Sequence, residues 1–302
     1  VLLSAAANDR VKSLVATAPV SRDLVQRFVA GATVDEAVAV ARRLYDDGLT
    51  ISLDHLGEDT TDGGRADAQT KAYRTLLGRL ADAGLTAGAE VSVKLSALGM
   101  GLDRQLALDN ARAVCESAGA VGTAVTVDME DYTTTETTLA VLAELRVDYP
   151  GTGAVIQSYL RRSAEHCRAL ATAGSRVRLC KGAYTGPESV AYQEPVEVRR
   201  SYVRCLRILM AGPGYPMVAT HDPVLIEIAG MLARKAGRTP GDFEYQLLYG
   251  IRPDEQRRLA EQGHTVRVYV PYGQEWYGYL MRRLAERPAN VAFFLRALVT
   301  RS

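Results

Sequence analysis

The sequence predicts an α/β fold of the (β/α)8 TIM-type barrel, with extra N-terminal helices and a final helix over the barrel mouth. Three observations lead there. Eight short strand-like segments recur with helical patterns between them, the mark of βαβ units and a parallel sheet. Eight units over about 250 residues match a barrel in count and length. Within the strands, polar residues alternate with valines, as they do where one face lines a bore and the other meets outer helices. A doubly wound sheet is the structural rival, but its GxGxxG signature after the first strand is absent. Gly99-Met-Gly101 follows the second strand and reads as a turn.

In chain order, residues 1–45 carry helical patterns ahead of the barrel, and residues 46–302 hold the barrel and its last helix in one domain. The strands read Leu49–Leu53, Glu90–Leu95, Ala124–Met129, Ala154–Ser158, Val177–Lys181, Met217–His221, Phe243–Leu248 and Val266–Val270. Between the first two, Tyr73, Leu76, Leu77 and Leu80 fall on one face of a helix. Leu139, Leu142 and Ala143 repeat that spacing after Thr133-Thr-Thr-Glu136, a capping-box pattern. No Pro- or Ser-rich linker and no low-complexity tract interrupts the series.

Composition narrows the function. The 302 residues are 47% hydrophobic, enough for one large core, and carry a formal net charge of +1 from 36 basic and 35 acidic side chains. That balance gives no reason to expect nucleic acid or an anionic membrane as the main partner. No apolar run approaches the ~20 residues of a membrane span. The opening Val1-Leu-Leu-Ser-Ala-Ala-Ala has no basic start and is broken by Asp9, Arg10 and Lys12, so it does not read as a signal peptide. Cys115, Cys167, Cys180 and Cys205 show no CxxC spacing, which argues for reduced thiols in a cytoplasmic protein, without structural zinc or a disulfide framework. His55, His166, His221 and His264 offer no close pair for a metal.

The strand ends carry the chemistry. In Val91-Ser-Val-Lys94-Leu the valines face one way and Ser92 and Lys94 the other. Thr126, Asp128 and Glu130 stand opposite the valines of the third strand, and Arg267 and Tyr269 opposite those of the eighth. Gln157, Arg178 with Lys181-Gly-Ala-Tyr184, Thr220-His221, and Gln246 with Tyr249 extend the set over strands four to seven. A buried lysine or aspartate alone would cost several kcal/mol, so these groups belong at the open C-terminal mouth, paired with each other or with a ligand. Each also has a plain structural reading: His221 as a hydrogen-bonded histidine, Lys94 with Asp128 as an ion pair, Tyr184 as a cap on the barrel.

The last helix adds Trp276-Tyr-Gly-Tyr-Leu-Met-Arg282-Arg283-Leu-Ala-Glu286. Glu286 stands four residues after Arg282, the spacing that pairs the two and orients the guanidinium, leaving Arg283 as a second fork. Two such forks suit a small carboxylate, since each donates two parallel hydrogen bonds. A solvated cationic face is the plain alternative.

Taken together, Ser92-Val-Lys94-Leu-Ser-Ala-Leu98, Val127-Asp128-Met-Glu130, Val155-Ile-Gln157, Val177-Arg178-Leu-Cys-Lys181-Gly-Ala-Tyr184, Ala219-Thr-His221 and Tyr279-Leu-Met-Arg282-Arg283-Leu-Ala-Glu286 resemble proline dehydrogenase in its single-function bacterial form. The resemblance covers the barrel and its last helix. It implies FAD over the C-terminal mouth, contacted by Met129, Gln157, Arg178, Lys181, Gly182, Ala183, Thr220 and His221, with Arg178 near flavin N5. It also implies that Lys94, Arg282 and Arg283 hold the carboxylate of L-proline, that Asp128 is an active-site acid, and that Tyr184 and Tyr269 wall the pyrrolidine ring. Tyr269 is the residue expected to favour proline over hydroxyproline, with its hydroxyl serving Arg283 or Lys94. Two segments depart from the larger fused members: Gly99-Met-Gly-Leu-Asp replaces a His-Pro-Arg-Tyr-like run, and Thr185 replaces a Trp.

The activity so implied is oxidation of proline to 1-pyrroline-5-carboxylate, with electrons passed to a quinone and loose attachment to the inner membrane surface. Two rivals remain open on the residues alone. One is a Schiff-base aldolase using Lys94 or Lys181; the other is a barrel that binds proline without catalysis.

Overall fold

Alternation and capping account for most of the elements. The computed structural model describes residues 25–285. Helix α1 (Val34–Asp46) starts with a reciprocal cap: Glu36 N–H donates to Thr33 Oγ1 at 3.3 Å, and Thr33 N–H to Glu36 Oε2 at 2.9 Å. That satisfies donors which the first turn leaves open. Strands and helices then alternate: β1 (Thr50–His55), α2 (Gly63–Asp82), β2 (Ala89–Val93), α3 (Arg104–Ala120), β3 (Ala124–Val127), α4 (Thr135–Asp148), β4 (Ala154–Gln157) and α5 (Ser163–Leu170). The second half repeats the pattern with β5 (Arg176–Cys180), α6 (Pro195–Ala211), β6 (Tyr215–Ala219), α7 (Pro223–Lys235), β7 (Glu244–Leu248), α8 (Pro253–Glu261), β8 (Thr265–Tyr272) and α9 (Trp276–Ala285). Asp62, Asp103 and Asp222 cap α2, α3 and α7 with their carboxylates, while α6, α7 and α8 open on a proline.

All strand pairings are parallel, in the order β3-β2-β1-β8-β7-β6-β5-β4. The ring closes between β3 and β4 through a bridge from Thr126 to Gly153, where Val127 N–H donates to Gly153 O at 2.9 Å and Gly153 N–H to Val125 O at 2.8 Å. A Cβ on Gly153 would lie 2.3 Å from Thr126 Oγ1, so the seam has room only for glycine.

The main core lies between the sheet and its helices. Val91, Val93, Val125, Val127, Val266, Val268 and Val270 face outward into it, and Tyr73, Leu76, Leu77 and Leu80 of α2 belong to the same cluster. Each fully buried leucine there contributes about 1.5–3 kcal/mol. A smaller cluster joins Phe28 and Val29, Leu56 just after β1, and Tyr277, Leu280 and Met281 of α9. It seats α9 against the C-terminal end of the barrel.

Two local expectations fail. Thr133 does not cap α4 with Glu136; Asp131 accepts from Thr133 N–H at 2.9 Å and Oγ1 at 2.8 Å, adding a 3-10 turn at Tyr132–Thr134. Glu136 instead turns outward to Arg162 and His166. Strands β2, β3, β5 and β6 also end one or two residues early, so Lys94, Asp128, Lys181 and His221 stand on the loops just past them. Placement past the strand ends puts these groups at the rim of the mouth.

Candidate active site

Alternation along each strand delivers a column of charged side chains into the bore. Four cations, Lys94, Arg176, Arg178 and Arg267, meet four carboxylates, Asp54, Glu90, Asp128 and Glu244, by direct ion pairs. At the N-terminal level, Arg267 donates from Nε to Glu244 Oε1 at 2.7 Å and from Nη2 to Oε2 at 3.0 Å. Arg176 and Arg178 each approach Glu90 at 2.6 Å. Burial opposes the Glu90 charge, but Arg267, Arg176 and Arg178 outweigh it and hold the carboxyl well below the usual range.

Arg178 stands at the centre. It donates from Nε to Gln246 Oε1 at 2.5 Å, from Nη1 to Asp128 Oδ1 at 2.6 Å and Ser92 Oγ at 3.0 Å, and from Nη2 to Glu90 Oε1 at 2.6 Å and Ser52 Oγ at 3.2 Å. All five of its N–H donors therefore meet protein acceptors. Burial works against its charge, yet Asp128 and Glu90 keep the guanidinium above its ordinary pKa. The Tyr269 ring lies with its centroid 5.3 Å from the guanidinium carbon, and its hydroxyl donates to Asp128 Oδ2 at 2.8 Å. Burial pushes the Asp128 carboxyl up against the pull of Arg178 and Lys94.

Lys94 reaches the same level from just past the end of β2. Its Nζ donates to Asp54 Oδ2 at 2.6 Å and lies 4.0 Å from Asp128 Oδ2. The expected Lys94–Asp128 pair is thus the weaker contact, because Asp128 is already taken by Arg178 and Tyr269. From α9, Arg282 grips Glu58 with both arms, Nη2 to Oε1 at 2.7 Å and Nη1 to Oε2 at 3.3 Å. The predicted pairing of Arg282 with Glu286 falls on a residue outside the described range. Arg283 sits over the Tyr279 ring, 5.3 Å from its centroid. Tyr184 packs with Tyr159, Leu160 and Val190, and burial, then Glu58 and Glu130, raise its phenol pKa.

The remaining predicted residues line the ends of β3 to β6. Met129 is buried past β3, and Gln157 donates from Nε2 to Glu130 O at 2.7 Å. Lys181 Nζ donates to Asp222 Oδ2 at 3.0 Å, which Arg199 also approaches at 3.1 Å. Gly182 and Ala183 are exposed beside it. Gly182 has φ +101°, and a Cβ there would lie 2.4 Å from the Tyr159 ring, so glycine alone admits this backbone path. Thr220 Oγ1 accepts from Asp222 N–H at 3.1 Å, and His221 Nε2 accepts from Leu248 N–H at 2.9 Å.

Tyr249 departs from expectation. It packs partly buried against the outer core and lines a cleft with Arg27, Glu36 and Val40. It stands three positions after the inward Gln246, just past the end of β7, an odd step that turns it to the opposite face. Besides Asp222, four acids lie outside the set expected from the sequence: Asp54, Glu58, Glu90 and Glu244. Two stand two positions from recognised inward residues of their strands, Glu90 from Ser92 and Glu244 from Gln246, and Asp54 stands two from Ser52, which reaches Arg178, so the period-two pattern could have found them. Glu58 sits in a loop, where no period applies.

A barrel whose mouth gathers a lysine, two arginines and shielded acids suits a small zwitterion or carboxylate. The sequence matches the family model described as proline dehydrogenase over residues 37–296. The chain belongs to the proline dehydrogenase family. It is 37% identical over 274 residues to proline dehydrogenase 1 of Bacillus subtilis strain 168, covering 91% of this chain and 90% of that protein. It is 36% identical over 286 residues to the proline dehydrogenase of Deinococcus radiodurans, covering 92% and 90%. Among solved structures, proline utilization A from Bdellovibrio bacteriovorus, inactivated by N-propargylglycine, superposes with TM-score 0.81 at 26% identity; the match covers 88% of this chain and 33% of that longer one. Membership makes the chain an oxidoreductase of proline catabolism acting on a small molecule, on an eight-stranded parallel barrel.

Proposed function

We propose that the chain oxidises L-proline to 1-pyrroline-5-carboxylate with FAD as cofactor and a quinone as the final acceptor. The observation that carries this reading is the meeting of Lys94, Asp128, Arg178, Tyr269 and Arg282 at one end of a barrel of this family. Lys94, Arg282 and Arg283 would hold the proline carboxylate, and Tyr184 and Tyr269 would wall the ring. Arg282 takes that role by exchanging Glu58 for the substrate, since one guanidinium fork cannot serve two carboxylates at full strength. The catalytic set is Asp128, Arg178 and Tyr269.

The rim also fits a dinucleotide. Gly182, with no side chain, and Ala183, with only a methyl, are exposed, and the Tyr159 hydroxyl is buried without a hydrogen-bond partner. Lys181 and Arg199 bring positive charge to the N-terminus of α7, where anions are stabilised. Met129, Gln157, Arg178, Lys181, Gly182, Ala183, Thr220 and His221 are the residues proposed to hold FAD, which when bound would supply the acceptor for hydride from proline C5. Arg178 keeps a fixed positive charge under the mouth, and Tyr269 and Arg178 fix the Asp128 carboxyl next to Lys94. The substrate amine must be neutral for electrons to leave, and Asp128, whose carboxyl burial pushes up, is placed to accept its proton.

No helix among the described residues is long and apolar enough to cross a membrane, and peripheral contact with the cytoplasmic face of the membrane is proposed for quinone access. Incubation with L-proline and a soluble quinone should yield a product that condenses with 2-aminobenzaldehyde to the coloured adduct of 1-pyrroline-5-carboxylate. No adduct, with proline unconsumed, would overturn the proposal.

A further inference from the structure

Lys94 enters the barrel from just past the end of β2 with its side chain about nine-tenths buried, 10% exposed, and its nearest acid, Asp54, is only 2% exposed. An ammonium moved there alone would shed its proton, because burial penalises the charged form. Five groups face it: Asp54 from β1, Glu58 from the loop after it, Asp128 and Glu130 from the end of β3, and Tyr184 from the loop after β5. Asp54 alone of these makes a hydrogen bond to Nζ, at 2.6 Å; Asp128 stands at 4.0 Å. Asp54 is itself braced. The Tyr73 hydroxyl, 3.4 Å from its Oδ1, is fixed in turn on Ser92 O at 2.6 Å.

We propose that Asp54 is a positioning residue for the reaction: it fixes Lys94 Nζ in one place, charged, with two of its three N–H bonds left for the carboxylate of the substrate. The use made of Lys94 rests on the reading of the reaction given above; the fixing of its charge does not. Holding the side chain in one rotamer removes freedom that a free lysine would lose on binding. The same pairing withdraws Lys94 from amine chemistry, since a lysine kept protonated is no nucleophile. Burial opposes the Lys94 charge, but Asp54, then Asp128 and Glu58, more than restore it, so its pKa lies above the ordinary lysine value. A lysine in that state stays charged until pH exceeds the raised value. Loss of Asp54 should bring the discharge down in pH.

The test is competitive labelling with acetic anhydride across a pH series, read by mass spectrometry of the peptide holding Lys94, with N-acetyl-lysine amide as internal standard. Lys12, Lys71, Lys181 and Lys235 are the only other lysines, so the peptide is unambiguous. In the wild type, Lys94 should label only at pH above the standard; labelling below it overturns the proposal without any variant. In Asp54→Asn the midpoint should fall by about one pH unit or more, and an unchanged midpoint overturns the proposal. At neutral pH the KM for proline should be about tenfold higher in the variant than in the wild type, with kcat nearly constant, because Nζ is no longer held in one place. A midpoint that falls with no change in KM overturns the assignment of Lys94 to the carboxylate, and the positioning role with it. A wild type that consumes no proline overturns the reading of the reaction instead, and leaves the labelling result to judge Asp54.

Discussion

Replacing Arg282 with alanine removes a fork that donates two hydrogen bonds to Glu58, at 2.7 and 3.3 Å. If the substrate carboxylate takes over those two bonds, the variant loses both in the transition state. Charge-assisted bonds contribute about 1.5–3 kcal/mol each, and release of Glu58 to water offsets part of that. The expected net loss is about 2–4 kcal/mol, or roughly 30- to 1,000-fold in kcat/KM. Stability should change little, by about 1 kcal/mol or less, because the pair is 30% and 25% exposed and solvent screens it. Arg282→Lys keeps the charge without the fork and should fall between the two. The assay is steady-state proline oxidation per bound flavin, with flavin content read from the absorbance spectrum and stability from urea unfolding. An alanine variant with wild-type kcat/KM would refute the assignment, as would one whose loss follows lost flavin or lost fold.

Glu90→Gln should destabilise the barrel by about 3–5 kcal/mol in urea unfolding, since it leaves buried arginines without their carboxylate. Because the Glu90 carboxyl is held well below its ordinary pKa, its contribution is full above pH ~4.3 and fades as pH falls through the depressed value. The wild type should therefore lose stability more steeply than the variant in that acid window, and parallel curves would count against the network. Arg178→Met keeps much of the side-chain length but removes the central cation, so proline should reduce the flavin more slowly and the flavin potential should fall; an unchanged rate and potential would make Arg178 purely structural. Tyr269→Ser should narrow the preference for proline over trans-4-hydroxyproline, chiefly by lowering kcat/KM for proline. An unchanged ratio would remove Tyr269 from specificity.

Much of this was legible because a strand has a strict two-residue period. Ser92, Lys94, Thr126, Arg178, Gln246, Arg267 and Tyr269 all project into the bore or its mouth, as alternation with valines requires. The same rule, not applied far enough, would have yielded Asp54, Glu90 and Glu244, and it forbids the inward placement expected for Tyr249. Pairing was harder to read than direction. Lys94 does stand 4.0 Å from Asp128 but gives its hydrogen bond to Asp54, because parallel register sets which side chains share a level, and one sequence does not reveal register. Tyr269 likewise gives its hydroxyl to Asp128 rather than to Arg283 or Lys94. Arg282 also meets Glu58, 224 positions away, in a loop that no helical spacing reaches. Local rules also misled at Thr133, where Asp131, two residues back, supplied the nearer acceptor.

The most direct test of the central claim is anaerobic mixing of the purified protein with L-proline, followed by its visible spectrum. The account predicts a yellow protein whose flavin bands bleach as proline is added, one equivalent of 1-pyrroline-5-carboxylate per flavin, with colour restored by a quinone. A colourless protein carrying no flavin, or flavin bands that proline leaves untouched, would contradict it.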